Sequence, residues 1–110
     1  MSVRGQVAIV TGGSRGIGRG IVERFLAEGL SVVIADRDVK AWRAAEAELK
    51  TIGDCLFVRT DVSKEAQVRR CVQETVRRFG RLDIRINNAG IADPILNLHV
   101  KRWYLIKSAL

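Results

Sequence analysis

Eight consecutive residues, Thr11-Gly12-Gly13-Ser14-Arg15-Gly16-Ile17-Gly18, carry the strongest chemical signal in this 110-residue sequence. They follow a short apolar run, Val7-Ala8-Ile9-Val10, and lead into a helical pattern. Gly12 permits a sharp exit from a strand, and Gly16 lets a bulky anion such as a pyrophosphate approach the backbone. Gly18 lets the following helix sit close to the sheet. The first amides of a helix lack intrahelical acceptors and lie at the positive end of its dipole, which favours an anion by roughly 0.3–2 kcal/mol. Ser14, Arg15 and Ile17 share the turn and are candidate contacts of the same ligand.

A carboxylate supplies the second chemical signal. Asp36 closes the apolar run Ser31-Val32-Val33-Ile34-Ala35, 18 residues after Gly18. An acid there accepts hydrogen bonds from both ribose hydroxyls of an adenine dinucleotide. Bonds to a charged group contribute roughly 1.5–3 kcal/mol. A 2′-phosphate in the same place meets repulsion on the order of 4 kcal/mol per unit charge near a surface. The expected cofactor is therefore NAD in preference to NADP. Arg15 and Arg37 pull the other way, since a guanidinium pairs well with a 2′-phosphate. The alternative for Asp36 is a helix-initiating role with no ligand.

These groups need a scaffold, and hydrophobic periodicity describes one. Val7–Val10, Ser31–Ala35 and Cys55-Leu56-Phe57-Val58 are short, largely β-branched runs of the kind buried on both faces of a sheet. Leu82-Asp83-Ile84-Arg85-Ile86 is a less regular fourth. Between them lie helical stripes. The first joins Ile17, Ile21 and Phe25, with Val22 and Leu26 beside them, and stops at Gly29. The second joins Trp42, Ala45, Leu49 and Ile52 and ends at Gly53. The third joins Val68, Val72, Val76 and Phe79, with Ser63 expected as N-cap and Gly80 as the C-terminal glycine. Such alternation with short connections implies right-handed crossovers. The expected fold is α/β, a Rossmann-type doubly wound parallel sheet of about four strands, in a single domain over 1–110. After Pro94 comes a last apolar helical pattern with Leu98, Leu105, Ile106 and Ala109.

Composition narrows the function classes. No apolar run approaches the roughly 18 residues that span a bilayer, and the start of the chain lacks a signal-peptide pattern, so no membrane contact is expected. Cys55 and Cys71 sit in apolar runs without metal-ligand spacing and read as reduced core thiols, which points to the cytoplasm; no metal site is expected. The formal charge of +7 is concentrated in residues 59–110, which hold 11 of the 19 basic and 5 of the 12 acidic side chains. Arginine clusters neutralise nucleic-acid phosphates, but no helix-turn-helix, RNA-binding aromatic or zinc pattern accompanies them. A solvated helix face is the expected reading.

Together these residues resemble the short-chain dehydrogenase/reductase family. The resemblance rests on the Thr11-Gly12-x-x-x-Gly16-x-Gly18 turn, on Asp61-Val62, and on Asn87-Asn88-Ala89-Gly90, and it covers residues 5 to about 103. It implies that Asp61 and Val62 flank the adenine and that Asn88, Ala89 and Gly90 line the adenosine ribose side. Asn87 and Asn88 have a second reading, as ties between neighbouring strands. The implied activity is hydride transfer between NAD and a carbonyl or alcohol, with this chain as the cofactor-binding portion.

The sequence departs from the family pattern in ways that bear on chemistry. In the family a Ser, and a Tyr and Lys four residues apart, carry out catalysis; no such set occurs here. Tyr104 and Lys107 are three apart with no suitable serine before them. Leu110 falls where alignment on Trp103 would place a further catalytic Asn, and His99 has no catalytic or metal partner in the sequence. Arg85 replaces a buried aliphatic residue in the fourth strand, where an unpaired guanidinium costs several kcal/mol. The expectation is a chain that binds cofactor but is catalytically incompetent alone. The alternative is a non-catalytic dinucleotide-binding or interaction module, a truncated product that pairs with full-length relatives through the tail helix and the basic third helix. A homo-oligomer through the C-terminal helix is the further partner expected.

Overall fold

The structure, a computed structural model, describes residues 2–88. They form β1 (Val7–Thr11), α1 (Gly16–Ala27), β2 (Ser31–Asp36), α2 (Val39–Ile52), β3 (Cys55–Arg59), α3 (Glu65–Phe79) and β4 (Ile84–Ile86). The strands make one sheet in the order β3-β2-β1-β4. Every pairing is parallel, with Val7 opposite Ser31, Val32 opposite Cys55 and Ile9 opposite Arg85. This is the Rossmann-like doubly wound arrangement expected from the sequence.

Alternate residues of each strand feed two cores. Ala8, Val10, Val32, Ile34 and Cys55 pack with Val22 and Leu26 of α1 and with Trp42, Ala45 and Leu49 of α2. Ile9, Val33, Ala35 and Val58 pack with Val68, Cys71 and Val72 of α3. Because helices cover both faces, β1 is buried along its whole length, which explains an apolar run in place of alternation. Trp42 stacks on Phe57 with ring centroids 5.3 Å apart and planes 7° from parallel, joining α2 to the outer strand β3.

Several local expectations need correction. Ile17 does not belong to the buried stripe of α1; it is 79% exposed, and the stripe runs through Gly18, Val22 and Leu26. Ile52 is likewise exposed, leaving Trp42, Ala45 and Leu49 as the buried residues of α2. Ser63 is not the N-cap of α3. Its hydroxyl and amide both turn back to Asp61 Oδ1, and Lys64 takes the cap position. Gly80 does end α3, in the left-handed conformation with φ of 80°. The fourth strand is only Ile84–Ile86; just before it, the Asp83 carboxylate accepts a hydrogen bond from the amide of Val7 and grips Arg81. Arg85 is half-buried on the α3 side, and burial lowers its pKa. Cys55 and Cys71 are buried free thiols. No described helix is long and apolar enough to cross a membrane.

Candidate functional site

The sheet reverses its strand order between β1 and β4, and the candidate residues gather at the carboxyl edge beside that switch point. Gly12 and Gly16 adopt φ of 65° and 61°, a region that L side chains rarely enter. A Cβ on Gly16 would have no heavy atom of the described residues within 4 Å, so the backbone there borders open space among them. A Cβ on Gly18 would run into the carbonyl oxygen of Gly12 and the side-chain amide of Asn88. Gly16 thus borders open space, whereas Gly18 serves the close packing of turn and helix.

The start of α1 has an electrostatic character of its own. Its N-cap is Arg15, which makes no side-chain capping bond, and its first turn holds no acid. By contrast, α2 is capped by Asp38, whose Oδ1 accepts from the amide of Ala41 at 2.9 Å, and α3 carries Glu65 in its first turn. Among the three described helices, α1 alone has neither an acidic cap nor a first-turn acid. The amides of Gly16, Ile17 and Gly18 meet no acceptor among the described residues. Its dipole is left for an anion from outside.

Asp36 closes the other side of the turn. Its Oδ2 accepts from the amide of Ser14 at 3.3 Å and its Oδ1 from the amide of Asp38 at 3.0 Å. A carboxylate has about four lone-pair sites, so two amides fix its orientation and leave capacity for two hydroxyl donors. The Ser14 hydroxyl oxygen is buried with no hydrogen-bond partner among the described residues. Together with the open space at Gly16 and the three unmet amides, it makes the turn fit a dinucleotide.

Two arginines border this edge, and each already has a partner. Arg15 lies 3.5 Å from Asp38 Oδ2, and Arg37 lies 3.8 Å from Asp61 Oδ2. Asp61 is held below the usual carboxylate range, first by hydrogen bonds from the Ser63 hydroxyl and amide, then by the Arg37 charge. Val62 packs against the α3-side core.

Asn87 and Asn88 act as ties, in accord with the second reading of these residues. The Thr11 hydroxyl accepts from the Asn88 amide at 2.9 Å and faces Asn87 Oδ1 at 3.2 Å. The Asn88 side chain donates to the Gly12 carbonyl at 3.2 Å. Thr11 was missed as an organising residue, although a threonine ending an otherwise apolar strand was its signal. Asp38 was missed too, although an Asp directly before a helical pattern, able to accept from the amide three positions on, is an N-cap signature. Ala89, Gly90, His99, Trp103, Tyr104, Lys107, Leu110 and the C-terminal helical pattern lie outside the described residues.

Residues 6–106 match the family model described as short chain dehydrogenase. The chain belongs to the short-chain dehydrogenase family. It is 52% identical over 90 residues to an L-fucose dehydrogenase of Bos taurus, covering 82% of this chain and 32% of that protein. A solved short-chain dehydrogenase/reductase of Mycobacterium ulcerans superposes with a TM-score of 0.77 at 30% identity, over 84% of this chain and 35% of the other. The Pseudomonas aeruginosa RhlG/NADP active-site complex does so with a TM-score of 0.73 at 39% identity, over 93% and 41%. The chain thus spans about a third of the length of the curated relatives it matches.

Proposed function

We propose that this chain is the cofactor-holding portion of an oxidoreductase that moves hydride between NAD and a secondary alcohol or its ketone. The observation that carries the reading is the start of α1, whose three amides and unopposed dipole suit a pyrophosphate. In this reading Gly12, Gly16 and Gly18 shape the turn, and Ser14, Arg15 and Ile17 border the phosphates. Asp36 and Arg37 stand at the adenosine ribose. Asp61 and Val62 flank the adenine, and Asn88, Ala89 and Gly90 line the ribose side. Bound NAD supplies the hydride acceptor; the chain's own residues orient it and hold its charge.

Asp36 favours NAD over NADP, because a 2′-phosphate would meet its carboxylate. The Pseudomonas aeruginosa relative is an NADP complex, which makes that preference a point to measure. L-fucose is the first alcohol to assay, given the name of the Bos taurus relative. For the 110 residues alone we expect binding without turnover, since Tyr104 and Lys107 are three apart; NAD reduction by the pure chain would overturn that. The two buried thiols fit a reducing cytoplasm. The basic helix face fits solvent better than nucleic acid, because Arg69, Arg77 and Arg78 each face an acid. The proposal includes a homo-oligomer formed through the apolar C-terminal segment.

Ile17→Glu tests the central point. An acid in the first turn of α1 stabilises the free helix by about 0.3–1 kcal/mol and repels a pyrophosphate at the same place. The expected outcome is an unchanged or raised melting temperature with at least about tenfold weaker NAD binding, a loss of about 1.4 kcal/mol. Unchanged affinity by calorimetry would refute the assignment of these amides.

A further inference from the structure

The adenosine edge holds a contradiction in charge. Asp36 disfavours a 2′-phosphate, yet Arg15 and Arg37 beside it are residue types that bind one. The geometry resolves this through a third residue. Asp38 divides its two oxygens between separate tasks: Oδ1 accepts from the Ala41 amide at 2.9 Å and fixes the start of α2, while Oδ2 lies 3.5 Å from the Arg15 guanidinium. Its own amide donates to Asp36 Oδ1 at 3.0 Å. Asp38 is therefore tied by backbone hydrogen bonds on both sides, a fixed anchor for an arginine whose side chain is 77% exposed.

We propose that Asp38 is a specificity-determining positioning residue, which engages Arg15 and so withholds it from a 2′-phosphate. The proposal rests on the dinucleotide reading given above. Arg15 is a long side chain at the mouth of the turn with several rotamers open to it. A fixed carboxylate nearby biases those rotamers toward α2 and away from the ribose. Arg37 is engaged in the same manner by Asp61 at 3.8 Å, but Asp61 also holds Ser63, so its removal would disturb the entry to α3. Asp38 permits a cleaner substitution. Serine caps helices nearly as well as aspartate, so Asp38→Ser keeps the cap and discards only the charge.

The experiment titrates the chain with NAD, NADP, 5′-AMP and adenosine 2′,5′-bisphosphate, using calorimetry to obtain the affinity ratio with and without the 2′-phosphate. Wild type, Asp38→Ser, Arg15→Ala and the double variant are compared, each with its melting curve. Asp38→Ser is expected to shift the ratio toward the 2′-phosphate by about fivefold, the scale of one exposed ion pair, and by less in high salt. Arg15→Ala in the wild-type background leaves the ratio within about twofold, because an engaged arginine has little to lose. In the double variant the gain disappears. A gain that survives loss of Arg15 overturns the proposal, since the carboxylate would then act by its own repulsion. An unchanged ratio in an Asp38→Ser protein that melts normally and binds NAD overturns it too. Should wild type bind none of the four probes, the dinucleotide reading falls and this one with it. Asp38→Asn, also a good cap, replaces the serine variant if that melts early, and the same ratio decides.

Discussion

Alanine at two neighbouring helix positions should move the stability of this protein in opposite directions. Gly18 and Gly20 both lie within α1, and neither has positive φ, so the backbone accepts alanine at each. Alanine's helix propensity favours it over glycine by about 1 kcal/mol at both. The surroundings differ. Among the described residues nothing lies within 4 Å of a Cβ on Gly20, whereas a Cβ on Gly18 overlaps the Gly12 carbonyl and stands 2.5 Å from Asn88 Nδ2. Backbone pinned between β1 and α1 has little room to retreat. Overpacking costs about 1–3 kcal/mol, and displacing the Asn88 bond to Gly12 costs about 1 kcal/mol more. Set against the propensity gain, Gly18→Ala should lose about 1–3 kcal/mol. For a domain of this size that lowers the midpoint by roughly 4–24 °C, while Gly20→Ala raises it by roughly 4–8 °C. Thermal unfolding followed by circular dichroism decides it. A Gly18→Ala protein melting at or above wild type would refute the close approach of turn and helix. Gly16 is unsuitable for this test, because its φ of 61° strains any side chain whether or not a ligand binds.

Two further outcomes follow from buried groups. Burial pushes the Cys71 thiol up to about 11 from 9.0, so the unfolded chain surrenders this proton first. The stability it contributes is whole below about pH 9 and is lost as pH rises through about 11; the denaturant-measured free energy should fall by about 2 kcal/mol more across that window than in Cys71→Ala. Equal slopes would refute the burial of the thiol. Thr11→Val keeps the shape of a buried residue but removes the hydroxyl that accepts the Asn88 amide. It should cost about 1–3 kcal/mol and speed hydrogen exchange at Asn88, read by NMR; unaltered exchange would remove Thr11 from the clamp.

The strands were legible because β1 and β2 are buried almost throughout, and the outer strand β3, though only partly buried, still begins with four apolar residues in a row. The glycine turn was legible because its spacing answers three separate steric demands. Ile17 was misread because periodicity reports which residues are apolar and not where a helix begins. It occupies the first turn, where its neighbours along the stripe are missing, and so it is left facing solvent. Ser63 was misread because a nearby carboxylate competed for it: Asp61 took both of its donors. The partners of Arg15 and Arg37 were not legible, since Asp38 lies 23 positions from the first and Asp61 lies 24 from the second, across separate elements. Only the folded sheet edge brings those charges within reach.

The fastening of the glycine turn by Asn88 spans 76 positions of chain. As a ribosome delivers the protein, the turn emerges early but its fastening emerges only after three helices have followed it. Until β4 docks beside β1, the Gly12 carbonyl has no amide to hold it and the innermost strand lacks one neighbour. Ligand affinity measured on chains of increasing length would therefore rise abruptly once Asn88 clears the exit tunnel, making nucleotide capture a gauge of when the sheet closes.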